Sequence, residues 1–182
     1  MNTDLRLRVG LAAFVCFLAS IPLANWMVLH VGTVCMPQGP CLMPVAPSLL
    51  APSGVLTVGA ALVLRDVVQR CLGLASGLAA VAAGTLLSVL VAPGPLVLAS
   101  GAAFALSEFA DFAVYTPLQR RRLTIAVVAS SVVGLVVDSV VFLVLAFGSL
   151  EFIGGQIVGK LWAVVIAIPL TRLLRRVAPT PA

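Results

Sequence analysis

Charge is what this chain has least of: Asp, Glu, Lys and Arg together make up 9% of 182 residues, while 62% are hydrophobic and the mean hydropathy is +1.20. A soluble domain carries roughly a quarter charged residues on its surface, so a water-soluble fold is excluded. The chain reads as an integral membrane protein. A glycine-rich nucleotide-binding loop is missing, and so is any His/Cys spacing that suits zinc. Those absences remove the usual routes to ATP hydrolysis and metal chemistry, so neither enzyme activity nor a cofactor is expected. The net charge of +5 does not point to nucleic acid, because the arginines stand at helix ends rather than on one basic face. The expected partner is the lipid bilayer. The first apolar run is too long for a signal peptide and the stretch after it, PLANWMVLH, lacks a small-x-small cleavage site, so it is expected to stay as a spanning helix.

Six apolar stretches are present: Leu7 to Leu29, Gly54 to Gln69, Leu74 to Val91, Leu96 to Tyr115, Leu123 to Phe147 and Gly154 to Leu170. A stretch of twenty residues is about 30 Å long as a helix, the thickness of a bilayer core. The second stretch is the shortest. Nine arginines flank these stretches on one side: Arg6, Arg8, Arg70, Arg120, Arg121, Arg122, Arg172, Arg175 and Arg176. Loops 31–53, 92–95 and 148–153 carry only Glu151. The positive-inside rule then predicts one six-helix domain over 1–182 with both termini cytoplasmic, an outer loop at 31–53 and a cytoplasmic tail at 175–182. The expected location is the cell membrane, plasma or inner, in multi-pass form.

The outer loop holds five of the twelve prolines and no charge, a composition that predicts an irregular cap. Cys35 and Cys41 lie in it with five residues between them; a small disulfide and two free thiols are the alternatives. Ser76, Ala80, Gly84 and Ser88 in the third stretch, and Gly155 and Gly159 in the sixth, are spaced by four and suit close helix contacts. Contacts inside the bundle are preferred there, with a homo-oligomer as the alternative. Pro22 bends the first helix near Asn25 and Trp26, which makes Asn25 a candidate polar contact and Trp26 an interfacial anchor.

Acids inside hydrocarbon are the strongest signal. An ionisable side chain at the bilayer centre costs about 2.5–3.5 kcal/mol on insertion scales and is rarely kept without a partner or a task. Distance along each helix from its arginine, at ~1.5 Å per residue, puts Glu108 and Lys160 at ~18 Å, Asp111 at ~14 Å, Asp138 at ~24 Å, and Arg65 with Asp66 at only ~6–8 Å. On that ruler Lys160 is expected to pair with Glu108 or Asp111. Phe104, Glu108, Asp111 and Tyr115 share one face of the fourth helix, Ser131, Gly134 and Asp138 one face of the fifth, and Gln156 and Lys160 lie one turn apart on the sixth. Two interior cations face four interior acids. An ion-pair network that only holds the bundle is one account; a polar cavity for a solute is preferred.

Four stretches, PSGVLTVGAALVLRDVVQRCLG, ALSEFADFAVYTPLQRR, VGLVVDSVVFLVLAFGS and GGQIVGKLWAVVIAIPLT, together resemble the VUT family of six-helix bacterial membrane proteins, the queuosine precursor transporters. The resemblance implies uptake of 7-cyano-7-deazaguanine or its aminomethyl relative, salvaged for tRNA modification. Such a base has paired N–H donors that one carboxylate, Glu108 or Asp111, can accept. Phe104, Phe109, Phe112, Tyr115 or Trp162 are candidates to stack on it, and Gln156 and Lys160 to donate to its carbonyl. Asp138, Asn25, Arg65 and Asp66 complete the candidate set. Two competing readings are a substrate-binding membrane subunit of an ATP-driven vitamin-type uptake system, and a structural or signalling protein whose charges lock the bundle.

Overall fold

The computed structural model describes residues 3–35, 40–92 and 94–177, so part of the expected outer loop (36–39) and of the expected tail (178–182) lies outside the described residues. Six helices follow one another: α1 (Thr3–His30), α2 (Val55–Leu72), α3 (Leu74–Val91), α4 (Val97–Leu118), α5 (Leu123–Phe147) and α6 (Ile153–Val177). Three short strands, β1 (Val34–Cys35), β2 (Cys41–Ala46) and β3 (Leu49–Pro52), lie between α1 and α2. The helices α3 and α5 cover the spans their apolar runs predict. By length and composition α1, α3, α4 and α5 can each cross a membrane, and α6 holds a shorter apolar stretch, Ile153–Ile166. The protein is an all-α membrane bundle with one small sheet at an end.

The shortest stretch, α2, is the interior element. It packs against each of the other five helices, and Arg65, Asp66, Gln69 and Arg70 are all buried on it. Neighbouring helices shield those polar groups from lipid, which is how a helix this polar persists in the bundle. Two expectations change as a result. The helix continues past Gln69 to Leu72, and Arg70, expected to flank the helix, lies within it and is 8% exposed. Arg6 caps it: Nε donates to the Cys71 carbonyl at 2.9 Å and Nη2 to the Arg70 carbonyl at 3.2 Å, satisfying terminal acceptors and bringing the start of α1 to the end of α2. Gly73, at φ 95°, lets α3 begin at the next residue.

The described part of the expected outer loop is not irregular as its prolines suggest. It forms an antiparallel sheet in the order β1-β2-β3, with Cys35 opposite Cys41 and a disulfide joining them. Two of the prolines sit where a missing N–H is tolerated: Pro44 beside a register shift between β2 and β3, and Pro52 at the end of β3. Backbone pairing satisfies polar groups that would otherwise lie bare at an apolar end. The sheet docks on α6, where a Cβ at Gly155 would overlap the Leu50 carbonyl oxygen and Trp162 Nε1 donates to the Val45 carbonyl at 3.0 Å. Gly59 brings α2 onto α6, since a Cβ there would meet the Lys160 carbonyl oxygen at 2.9 Å. On α3, Ala80, Gly84 and Ser88 are buried, and a Cβ on Gly84 would meet Phe104 of α4 at 2.7 Å and Phe17 of α1 at 3.0 Å. These small residues serve contacts within the chain.

Candidate solute-binding site

A cavity of about 100 Å³ lies among the helices in the half of the bundle nearer the sheet. Its position can be read along every helix. On α2 it is lined by Val55, Val58, Ala61 and Leu62 but not by Arg65; on α4 by Ser100, Phe104, Ser107 and Glu108 but not by Asp111. On α5 Asp138 and Phe142 reach it, and on α6 Gln156 and Lys160 do. Asn25 of α1 also lines it, with Nδ2 donating to the Ile21 carbonyl at 3.0 Å. Beyond it, toward the arginine-rich end, the bundle is filled by an apolar core that includes Ala13, Phe17, Val67, Val68, Tyr115 and Val127.

The candidate residues therefore divide in two. Asn25, Phe104, Glu108, Asp138, Gln156 and Lys160 come together on the cavity wall. Arg65, Asp66, Asp111 and Tyr115 do not; they lie in a second, buried cluster. Among the stacking candidates Phe104 faces the cavity, whereas Phe109 and Trp162, at 55% and 50% exposed, look outward. Phe112 and Tyr115 lie against the Arg65 guanidinium at 5.2 and 5.7 Å from their ring centres, a cation–π arrangement.

The expected partnership of Lys160 with Glu108 or Asp111 is overturned. Lys160 Nζ donates to Asp138 Oδ2 at 2.5 Å, to Ser139 Oγ at 2.8 Å and to Gln156 Oε1 at 2.7 Å, which uses all three of its protons. The difference of ~6 Å in estimated depth between Lys160 and Asp138 is no more than a lysine side chain spans, so backbone depth alone misassigned the pair. Because Gln156 turns its oxygen to Lys160, its NH₂ group is the part left to donate elsewhere.

Glu108 and Asp111 belong to Arg65 instead. Arg65, fully buried, donates from Nε to Glu108 Oε2 at 3.0 Å and from Nη1 to Gln69 Oε1 at 3.2 Å, while Nη2 contacts Asp111 Oδ1 and Nη1 lies 3.0 Å from Asp66 Oδ1. Ser130 of α5 donates to Asp66 Oδ2 at 3.2 Å, and the Tyr115 hydroxyl to the Asp66 carbonyl at 3.2 Å. Close approach is permitted by Gly134, where a Cβ would meet the Asp111 Cβ at 3.0 Å. The shallow depth expected for Arg65 rested on Arg70 as an edge marker, and Arg70 is buried.

Glu108 belongs to both groups: its side chain lines the cavity while Oε2 holds Arg65. An ionised carboxylate offers about four acceptor positions, so capacity remains for a solute. Ser20, Ser100, Ser107 and Phe142 also line the cavity and were not singled out in the sequence. Phe142 lies one turn from Asp138, and Ser100 one turn from Phe104; extending those two faces would have found them. Ser20 and Ser107 bond back to carbonyls of their own helices, Phe17 at 2.6 Å and Phe104 at 3.0 Å, and give no such signal.

The Lys160 pairing makes a prediction. Lys160→Met should lower stability by about 1–2 kcal/mol, moderated because Asp138 borders the cavity and can regain water. Lys160→Met with Asp138→Asn should recover most of the loss, and Lys160→Met with Glu108→Gln should recover none. Thermal unfolding of the purified variants in detergent checks this; equal recovery in both doubles would refute the pairing.

A family model described as "Putative vitamin uptake transporter" matches residues 90–174, and no curated protein and no solved structure matches the chain. The matched span contains α4, α5 and most of α6. Glu108, Asp111, Asp138, Gln156 and Lys160 fall inside it, whereas Asn25, Arg65 and Asp66 fall outside. With α4 to α6 supplying most of the polar cavity wall, this multi-pass membrane protein is similar, through residues 90–174, to the family described as "Putative vitamin uptake transporter".

Proposed function

We propose that the protein imports a small, flat, nearly neutral heterocycle of the 7-deazaguanine class, a queuosine precursor such as 7-cyano-7-deazaguanine. The observation that carries this is the cavity wall itself, where Phe104 and Phe142 supply ring faces, Glu108 an acceptor and Gln156 a donor. A deazaguanine has two faces to stack, an N1–H and exocyclic amine side by side, and a carbonyl, so each wall group has a counterpart. Asp111 is not a reader in this account, since it does not line the cavity. The family's description favours a second reading, a water-soluble vitamin with the same paired donors. Thermal stabilisation of the purified protein by a panel of 7-deazaguanines, guanine and vitamins separates them. Stabilisation by 7-deazaguanines at the lowest concentrations is expected, and stabilisation by vitamins alone would replace the first reading with the second.

Import requires an orientation, and we place both termini in the cytoplasm with the disulfide-bonded sheet outside. Arg120, Arg121 and Arg122 at the turn from α4 to α5 are exposed and stand at the opposite end from the sheet. A single cysteine introduced at Arg121 should resist an impermeant thiol reagent in intact cells. Rapid labelling there would invert the topology.

A further inference from the structure

We infer that the Arg65 cluster is the inner closure of the transport path and that Glu108 is the side chain through which a cavity occupant releases it. The inference rests on the uptake reading, because only a carried solute needs a second exit. The cavity ends at the level of Glu108 on α4 and Leu62 on α2, and the next turns toward the arginine-rich end hold Arg65, Asp66, Gln69 and Asp111.

The closure joins different helices. Arg65 of α2 reaches Glu108 and Asp111 of α4, Asp66 of α2 takes a hydrogen bond from Ser130 of α5, and Gln69 donates to Thr116 of α4 at 3.1 Å. Among the described residues the cavity hydroxyls Ser20 and Ser107 bond within their own helices, to the Phe17 and Phe104 carbonyls, and not across the path. Breaking the Arg65 contacts removes the ionic links between α2 and α4 at this level.

The Arg65 cluster is the ionic part of a closure that also holds the apolar Val67, Val68 and Val127. The attraction between buried charges is largely offset by the hydration they give up, so such a layer can open to water with little net change. Packed apolar side chains regain no hydration on exposure and oppose opening in proportion to their area. Glu108 links this layer to the cavity, since a solute with paired N–H donors that takes both carboxylate oxygens draws on the Oε2 that holds Arg65 Nε. Three further bonding positions on Arg65, to Asp111, Gln69 and Asp66, are not on the cavity wall.

Accessibility tests this without any solute. Ser107→Cys puts a thiol on the cavity wall, in a protein whose Cys16 and Cys71 are changed to alanine and whose Cys35–Cys41 disulfide is kept. A small impermeant methanethiosulfonate is applied from the arginine-rich end, using inside-out vesicles if that end is cytoplasmic. Labelling should be slow with Arg65 present and about tenfold faster or more with Arg65→Gln or Glu108→Gln. If Arg65→Gln does not fold, Glu108→Gln alone decides, since it removes the charge of one acid and leaves Arg65 in place. Faster labelling without any measurable solute binding would remove the uptake reading while leaving the closure as a barrier. Labelling as slow in the folded variants as in the parent overturns the closure itself.

Discussion

Arg65→Leu is expected to lower stability by about 3–5 kcal/mol or more, the range for removing one partner of a buried ion pair. Three acids lose their cation at once. Asp66, Glu108 and Asp111 are each at most 2% exposed, and Arg65 donates to or lies beside all three. Arg65→Lys should fall between wild type and Leu, because an ammonium keeps the charge but cannot span the Glu108 and Asp111 carboxylates with a planar fork. Adding Asp111→Asn to Arg65→Leu should restore part of the loss, since one uncompensated charge is removed. Arg121→Gln is the control: that arginine is exposed, and its replacement should change stability by no more than about 0.5 kcal/mol. Thermal unfolding of the purified set, with expression compared in membranes, gives the ranking. An Arg65→Leu protein that melts with the wild type would show that the cluster does not hold the bundle.

Much of the fold was legible because apolar length is a direct consequence of bilayer thickness. The helices α3 and α5, with few or no charges inside them, came out residue for residue. What misled was charge used as a ruler. Arg70 looks in sequence like any other flanking arginine, and only the packing of α2 in the interior shows that it is buried and that the helix runs on to Leu72. Loop 31–53 misled for a different reason: proline content argues against strands, yet an antiparallel ribbon needs only some of its N–H groups, and Pro44 falls at a register shift.

The candidate site was legible by residue type and not by grouping. Helical spacing put Phe104, Glu108, Asp111 and Tyr115 on one face, and all but the partly buried Phe104 are buried among the described residues. That face is about three turns long, however, while the cavity reaches only part of the way along it, so Phe104 and Glu108 line it and Asp111 and Tyr115 pack below. A one-dimensional pattern gives the face of a helix but not the height at which a neighbouring helix closes on it. Lys160 illustrates the same limit, because a long side chain chooses among acids within ~6 Å of its backbone level and only the crossing of α5 with α6 selects Asp138.

Glu108→Gln carries the second large effect, on recognition. The substitution keeps shape but turns one acceptor into a donor facing N–H groups, which leaves buried donors unpaired at a cost of roughly 1–3 kcal/mol, or about tenfold to a hundredfold in affinity. Asp111→Asn is its counterpart away from the cavity wall. It should alter stability through Arg65 while the folded fraction binds as before. The decisive measurement is calorimetric affinity of wild type, Glu108→Gln and Asp111→Asn for 7-cyano-7-deazaguanine and for the same ring lacking its exocyclic amine. Wild type and Asp111→Asn should prefer the amine-bearing ring and Glu108→Gln should lose that preference; equal discrimination by all three would contradict the reading of the cavity.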